Sequence, residues 1–447
     1  MENKILLLKL FIAFSASTLI FLILRQRNLQ VWLTGKSWTI ISTVFVSQRL
    51  LIFFALYLGL GLSLQSDLTV YLAEAKLTLA GKKPFIDFQT AYGPWFPFTL
   101  ALALRIWKSG PALVLLSVLF EFVAWPFWLN LFQTLLGKRT AKLAAWLYIL
   151  APLAILNVPA VGLNHIWISA FLAVALYGEM RGWQWLAGLS LGASIVVVKF
   201  LSLLFVPALW WGSRRRIAWL AGFVVLPVIA YAPLLLKHVD LLSQVKFHAH
   251  YDSSGSIPYL AGILGIDPSA PLIRNTFNLI GLLVLASTFF LCARRGRFGT
   301  IQKKAFAMPF FLLIMLLVSK KSFSSYLEIA LFPLAALTAL EADRVKTLFW
   351  FSAVMFTTSI EPSLWFRLIH QRELNQMWSS PAPTSGWQLA SFVLLEVFML
   401  AGYIFLALRL YSAMSETSNG PGTSGTLEDS NRCLARGEQA QNLTFDP

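Results

Sequence analysis

The residues whose types suit catalysis lie in one stretch of the chain, Ser66 to Trp95, which reads SDLTVYLAEAKLTLAGKKPFIDFQTAYGPW. It contains two aspartates, Asp67 and Asp87, and a positioned carboxylate can take the proton from an acceptor hydroxyl. Lys83 lies in the same stretch, and a lysine can bind phosphate as a point charge. Each aspartate also has a structural interpretation: Asp67 at a helix start with Ser66 as its N-cap, and Asp87 in a turn.

The first half of this stretch predicts an amphipathic helix that lies in the plane of the membrane interface. Apolar side chains recur there at helical spacing, with charged side chains elsewhere around the helix: Leu68, Tyr71, Leu72, Ala75 and Leu79 against Asp67, Glu74 and Lys76. Gly81 ends this pattern, and a turn at residues 92–94 (Tyr-Gly-Pro) leads back into an apolar run. Asp67 is therefore expected at the membrane–water boundary, where a spanning helix meets an interfacial one.

The composition indicates that a membrane protein holds these residues in place. Of the 447 residues, 57% are hydrophobic and 13% are charged, and the mean hydropathy is +0.69. Soluble globular proteins are about 45–50% apolar and about 25% charged, so a soluble enzyme and a secreted disulfide scaffold are excluded. The apolar residues form whole segments instead of alternating strands, which excludes an outer-membrane barrel. The sequence predicts an all-α, polytopic integral membrane protein with about 11–13 transmembrane helices.

The net charge of +16 predicts which loops face outward. In a soluble protein this charge would suggest nucleic acid, but here the basic residues separate apolar runs, as the positive-inside rule requires, and no nucleic-acid partner is expected. Placing the basic clusters in the cytoplasm puts three loops outside, at residues 65–92, 237–269 and 361–386. Residues 1–411 are expected to form the membrane domain, and the polar residues 412–447 a disordered cytoplasmic tail.

Two apolar runs are predicted to depart from a single crossing. The run 93–107 is short and opens with Pro94 and Pro97, so it is expected to dip into the membrane and return. The run 184–212 has Lys199 in its middle, which marks a break where the chain turns back near the outer face. With both exceptions, every basic cluster falls on the cytoplasmic side.

The order of motifs resembles that of the GT-C glycosyltransferases, polytopic enzymes that take a sugar from a polyprenyl-phosphate lipid. In the first external loop this order is aspartate, Tyr, amphipathic helix, Gly, Lys-Pro-Phe, Asp-Phe and Tyr-Gly-Pro. Three later segments also resemble the family, in order: GLSLGASIVVVKFLSLLFVPALWW, YDSSGSIPYLAGILG and SFSSYLEIALFPLAAL. The likeness extends over residues 66–340 and is greatest to glycosyltransferase family 87, the bacterial polyprenyl-phosphate-mannose type.

The resemblance implies transfer of a mannose-like hexose from a polyprenyl-phosphate donor to a hydroxyl of a lipid or glycan acceptor, with Asp67 as catalytic base. It also implies a bacterial inner membrane, with the site facing the periplasm or exterior. If Asp67 acts alone, a single displacement inverts the anomeric carbon; a covalent route needs a second carboxylate, for which Asp87 is the nearby candidate. No Asp-x-Asp pair stands at Asp67, so a divalent metal has no support and no cofactor is expected.

Several cations are candidates to bind the leaving phosphate. A lysine within an apolar span costs about 2.5–3.5 kcal/mol on insertion scales, so Lys199 is expected to face a cavity and to have a function. Lys320 and Lys321 lie in a turn assigned to the outside, and Lys83 lies in the first loop. The candidates for binding the sugar or the acceptor are Tyr92, Asn164, His165, His250 and Tyr326; His165 stands where relatives often have an acidic residue.

Two other functions fit a polytopic membrane protein. A transporter or lipid flippase should show interrupted helices in matching halves and charges across several spans, whereas this chain has few intramembrane charges and one long outer loop with carboxylates. An oligosaccharide ligase or polymerase would have its catalytic loop late in the chain, at residues 361–386. The early loop with Asp67 argues against that assignment.

Overall fold

The structure is a computed structural model, and it describes five ranges of the chain: residues 2–241, 253–266, 270–320, 323–364 and 386–416. Within these ranges the chain forms helices and loops, with no strand apart from an isolated bridge between Pro84 and Phe88. Among the described residues, seven helices are long and apolar enough to cross a membrane, and five shorter apolar helices accompany them. The prediction of an all-α, polytopic integral membrane protein is confirmed, and the count of about 11–13 crossings stays a prediction.

The helices are labelled here in chain order. The first half of the chain contains α1 (Glu2–Arg25), α2 (Arg27–Thr34), α3 (Trp38–Phe53), α4 (Asp67–Leu79), α5 (Phe96–Ile106), α6 (Pro111–Leu136), α7 (Lys138–Leu150), α8 (Pro152–Asn157) and α9 (His165–Met180). The second half contains α10 (Gln184–Val197), α11 (Val206–Trp211), α12 (Arg216–Leu236), α13 (Ile257–Ile263), α14 (Pro271–Arg294), α15 (Ile301–Val318), α16 (Leu331–Leu340), α17 (Val345–Leu364) and α18 (Gly386–Glu416). A π-helical segment (Phe54–Gly59) extends α3, and 3₁₀ helices (Phe200–Phe205 and Ser324–Ala330) precede α11 and α16.

The core and the periphery both reflect a membrane environment. Trp128 stacks on Phe332 with ring centroids 6.0 Å apart, and Trp167 stacks on Phe120 at 4.2 Å, so large aromatic side chains fill the space between helices. On the outside, apolar side chains stay exposed, for example Leu272 on α14. An apolar surface of this kind is stable when lipid surrounds it.

Two contacts show how the two exceptional runs are folded. Ser213 Oγ donates to Gln184 Oε1 at 2.5 Å, so the two ends of the run 184–212 lie together and the chain turns back between them. Gly110 packs against the side chain of Leu64, which puts the end of the run 93–107 beside the start of the first loop. The two ends of the run 184–212 therefore lie together, and Gly110, just beyond the run 93–107, lies beside the start of the first loop. That neither run crosses the membrane stays a prediction.

The basic end of the molecule, defined by Lys36, Lys138 and Lys142, brings two clusters together. Lys142 Nζ donates to the carbonyl of Thr34 at 3.1 Å, so the start of α7 lies beside the end of α2. This arrangement supports the predicted dip of residues 93–107 if α3 and α6 each cross the membrane once, and the dip stays a prediction.

Candidate functional site

Asp67 is the first residue of α4, and its helix start is unusual. Ser66 stands at the N-cap position of α4, as predicted, but it adopts φ 55° and ψ −140° and its side chain makes no capping hydrogen bond. Such a conformation at a residue other than glycine costs about 1–3 kcal/mol and persists where the surroundings hold it. The chain turns at Ser66 into α4, and Asp67 is half-buried there.

Lys199 lies at the break in the run 184–212, and the first loop stabilises that break. After α10 ends at Val197, Lys199 is extended, with φ −169° and ψ 166°. A helix end leaves carbonyl groups without partners, and these are costly inside a membrane. The loop supplies donors: Gly93 N donates to Val198 O at 2.8 Å and Trp95 N to Val196 O at 3.1 Å.

Gly93 permits this close contact because it has no side chain. A Cβ atom added at this position would lie 2.1 Å from the carbonyl oxygen of Val196, far inside contact distance. Phe85 anchors the same loop nearby, since it packs in a buried cluster with Ile195 and Val196 of α10 and Tyr231 of α12. The first loop and the end of α10 thus form one unit, which places Asp67 near Lys199.

Asp67, Lys199, Tyr326 and His165 come together in what we call the candidate site. The Asp67 carboxylate interacts electrostatically with the ammonium of Lys199 and with the hydroxyl of Tyr326. Lys199 Nζ lies 4.6 Å from the centroid of the Tyr326 ring, and His165 meets the edge of that ring with centroids 4.7 Å apart. Four residues named from the sequence therefore converge from four different segments.

Two tyrosines within electrostatic reach of Asp67 form an aromatic wall. Tyr71 of α4 and Tyr92 of the loop meet edge to face with centroids 5.2 Å apart, and Tyr92 packs on Phe96 at 4.4 Å. Burial, together with the negative charge of Asp67, raises the pKa of Tyr71 and of Tyr92 well above the usual value. Both hydroxyls therefore stay neutral at physiological pH and can act as hydrogen-bond donors.

The site also contains buried polar atoms that can bind a ligand. Within the described ranges, the side-chain oxygen and nitrogen of Asn164 and the Nδ1 atom of His165 have no hydrogen-bond partner. Both residues are almost fully buried, and a buried polar group without a partner is costly. Sugar hydroxyls both donate and accept hydrogen bonds, so they suit such a set of groups.

Asp87 and Lys83 form a turn of their own. Asp87 is exposed, and its Oδ2 accepts a hydrogen bond from the backbone N of Lys83 at 2.7 Å. The Lys83 side chain is exposed as well. This contact is the turn-forming role considered for Asp87, and its assignment as a second catalytic carboxylate stays a prediction.

Of the remaining predicted residues, Lys320 is described, and the others lie outside the described part of the chain. Lys320 is buried beside the Ser-rich segment, where its carbonyl accepts from Ser253 N at 3.2 Å, and burial lowers the pKa of its side chain. His250 and Lys321 lie outside the described residues, as do parts of the loops 237–269 and 361–386 and most of the tail.

Glu74 is a residue of this region that the sequence pattern assigned incorrectly. The pattern placed it on the polar side of α4, but it is buried, 5% exposed, on the face that carries Leu68, Tyr71 and Ala75. Its spacing of three residues from Tyr71 is the signal that predicts a shared face.

No metal centre is evident in the part of the chain that is described, since it contains no group of three or more His, Cys, Asp or Glu side chains placed to hold an ion. The absence of a metal cofactor stays a prediction.

Comparison with known proteins gives distant structural likeness. The sequence matches no protein-family model and no curated protein. Among solved structures it is similar to ArnT from Cupriavidus metallidurans bound to undecaprenyl phosphate, with a TM-score of 0.48 and 13% identity over 85% of this chain and 76% of that chain. For the apo state of the same protein the TM-score is 0.46, with 15% identity over 84% and 75% of the two chains. Because both TM-scores are below 0.5, neither the family nor the activity of this chain follows from them.

Proposed function

We propose that the protein is a membrane glycosyltransferase of the GT-C type, which transfers a sugar from a polyprenyl-phosphate donor to an acceptor hydroxyl. The observation that carries this proposal is the placement of Asp67 beside Lys199, a carboxylate and an ammonium brought together by the docking of the first loop on the end of α10. Polar atoms of Asn164 and His165 without partners line the same site. This set supplies a base, a cation for phosphate and groups for a sugar.

The proposed reaction is a single displacement. Asp67 accepts the proton of the acceptor hydroxyl, and the acceptor oxygen forms a bond to the anomeric carbon of the donor sugar. The bond from that carbon to the phosphate oxygen breaks, and its electron pair leaves with the lipid phosphate. The Lys199 ammonium stabilises the negative charge that develops on the phosphate.

Inversion at the anomeric carbon follows from one acting carboxylate. A retaining mechanism would need a second carboxylate about 5–5.5 Å from the first, by analogy with glycoside hydrolases. Asp87 is bonded within its own turn, which supports the inverting route. We propose a mannose-like hexose as the sugar, a lipid or glycan as the acceptor, and a site on the outer face of a bacterial inner membrane, on the strength of the motif resemblance.

The test of this proposal is sugar transfer by membranes that contain the wild type or Asp67→Asn. With a panel of radiolabelled polyprenyl-phosphate hexoses, we expect the wild type to move label to an acceptor and the variant to lose at least 10²-fold in rate, the usual contribution of a general base. Asp87→Asn, a matched change in the same loop, should stay within about threefold. A correctly inserted Asp67→Asn protein with wild-type transfer would remove the catalytic assignment.

A lipid flippase is the second candidate, because an interrupted helix with a half-buried cation near its break is also a feature of transporters. A flippase would move a labelled polyprenyl phosphate across a vesicle bilayer without transferring its sugar. Asp67→Asn would then leave translocation intact.

A further inference from the structure

A chain of hydrogen bonds links Glu74 of α4 to residues 90–95 of the first loop, which we call the return segment. Thr90 Oγ1 donates to Glu74 Oε2 at 3.0 Å, and the backbone N of Tyr92 donates to the same Thr90 oxygen at 3.2 Å. Glu74 is 5% exposed and Thr90 is 1% exposed, so water does not compete for these bonds. The threonine hydroxyl thus connects a carboxyl group on α4 to the backbone beside the candidate site.

Within the return segment, Tyr92 belongs to the aromatic wall and precedes the contact with α10. Its ring packs edge to face on Tyr71 next to Asp67, and the following residue, Gly93, donates to the carbonyl at the end of α10. A shift of the Tyr92 backbone would therefore move both the aromatic wall and the contact that stabilises the break at Lys199. The aromatic wall and the break at Lys199 therefore depend on the same short segment.

We propose that Glu74 is a positioning residue, which acts through Thr90 to hold Tyr92 and the return segment closed over Asp67 and Lys199. It touches neither reacting group. The structural part of this inference stands on the contacts above, and only its effect on sugar transfer rests on the proposed function.

The surroundings of Glu74 contain no compensating positive charge in the described part of the chain. Tyr71 from its own helix and Tyr92 from the loop interact with it electrostatically, and both are neutral. Its ion-pair partners would have to be lysine or arginine, and no described cation forms a salt bridge with it. Burial raises the pKa of Glu74 to about 8, and the hydrogen bond from Thr90 acts in the opposite direction.

The equilibrium between two states of the return segment is therefore expected to depend on pH. In the closed state the segment is held as described above, and in the open state it has moved away and Glu74 is exposed. An exposed Glu74 in the open state ionises near the ordinary glutamate pKa of 4.5, whereas in the closed state it holds its proton up to about pH 8. Between these values closing takes up one proton, so the opening constant rises with pH, by up to about tenfold per unit. Above pH 8 both states are ionised and the dependence ends.

Hydrogen exchange of the full-length protein in nanodiscs tests the inference without any assay of activity. The probe is a peptide that covers residues 90–95, in which Tyr92, Gly93 and Trp95 all donate backbone hydrogen bonds. After correction for intrinsic exchange, we expect wild-type protection to fall with pH between 5 and 8. Glu74→Gln keeps an acceptor for Thr90 and should show flat protection, with a peptide from α9 as the internal reference.

Two variants break the connection. Glu74→Leu and Thr90→Val should each lower the protection of residues 90–95 at least tenfold at pH 6, while the α9 peptide stays unchanged. Protection equal to wild type in Thr90→Val, or the same pH slope in Glu74→Gln, would overturn the positioning role. Because Thr90→Val conserves volume, it keeps the test valid if Glu74→Leu fails to fold.

Sugar transfer provides the second readout. We expect the activity of the wild type to decline toward pH 8. Glu74→Gln should keep kcat within about threefold of wild type at pH 7 and should not show that decline. Thr90→Val should lower kcat at least tenfold. If wild type transfers sugar and Thr90→Val matches it in kcat and KM, the inference is wrong. If wild type transfers no sugar but the exchange results hold, the proposed function fails and the positioning role stands.

Discussion

Lys199 shows what a single residue contributes to this protein. Its charge inside an apolar run predicts a function, and the structure places it against Tyr326 and within electrostatic reach of Asp67. A cation that stabilises a leaving phosphate acts where charge develops, which is usually the largest catalytic effect. The lysines of the basic end have no such placement.

At this scale we predict that Lys199→Ala lowers sugar transfer about 10²–10³-fold, the cost typical of removing one donor to a developing charge. The measurement is kcat and KM for the labelled donor in purified protein. Lys138→Ala, at the exposed basic end, is the control and should leave both values near wild type. Equal losses in the two variants would contradict the phosphate role of Lys199.

The element that organises the site is the unit formed by the first loop and the end of α10. The backbone N–H groups of Gly93 and Trp95 donate hydrogen bonds to carbonyl groups at the end of α10, which have no partner within the helix because the helix breaks there. These two hydrogen bonds explain how an interrupted helix is stable in an apolar environment. They also explain why the site needs a glycine at a position where the two backbones almost touch.

We predict that Gly93→Ala separates the loop from α10, because the new Cβ would lie 2.1 Å from the Val196 carbonyl oxygen. Overpacking of this kind costs about 1–3 kcal/mol of stability. Activity should fall at least tenfold, and thermal unfolding in detergent should occur at lower temperature. Gly59→Ala, where the nearest atom lies at 3.6 Å, is the control and should change neither. Wild-type activity in Gly93→Ala would show that the contact is dispensable.

For the molecule as a whole, a buried ion pair joins α3 to α6. Arg49 Nε lies 3.0 Å from Glu121 Oε2, both side chains are buried, and the hydroxyl of Tyr148 on α7 donates to the same carboxylate at 2.8 Å. Three helices thus meet at one charged group in the interior. Such a pair is costly to break, since a single remaining charge has no compensation.

Arg49→Met should therefore destabilise the protein by about 3–5 kcal/mol, the cost of leaving Glu121 unpaired. The expected readout is a lower midpoint of thermal unfolding in detergent. The double variant with Glu121→Gln removes both charges and should recover much of the loss. No recovery in the double variant would mean that the pair contributes mainly through packing.

Much of this fold is predictable because hydropathy is a local property. The runs of apolar residues, the helix that starts at Asp67 and the break at Lys199 depend on residue types along a short length of chain, and all three are present in the structure. The convergence of Tyr92, His165 and Tyr326 near Asp67 matches candidates that came from a motif resemblance, not from geometry.

How the residues of the candidate site come together is known only from the tertiary structure. Ser66 stands at the N-cap without a capping hydrogen bond from its side chain, and the polar placement of Glu74 was wrong, because a backbone angle and the burial of a helix face depend on what packs against them. The sequence by itself determined the class of protein, an all-helical membrane protein with acidic and basic residues near the interface. Tertiary structure determined the site, since the distance between Asp67 and Lys199 depends on the docking of one loop onto one broken helix.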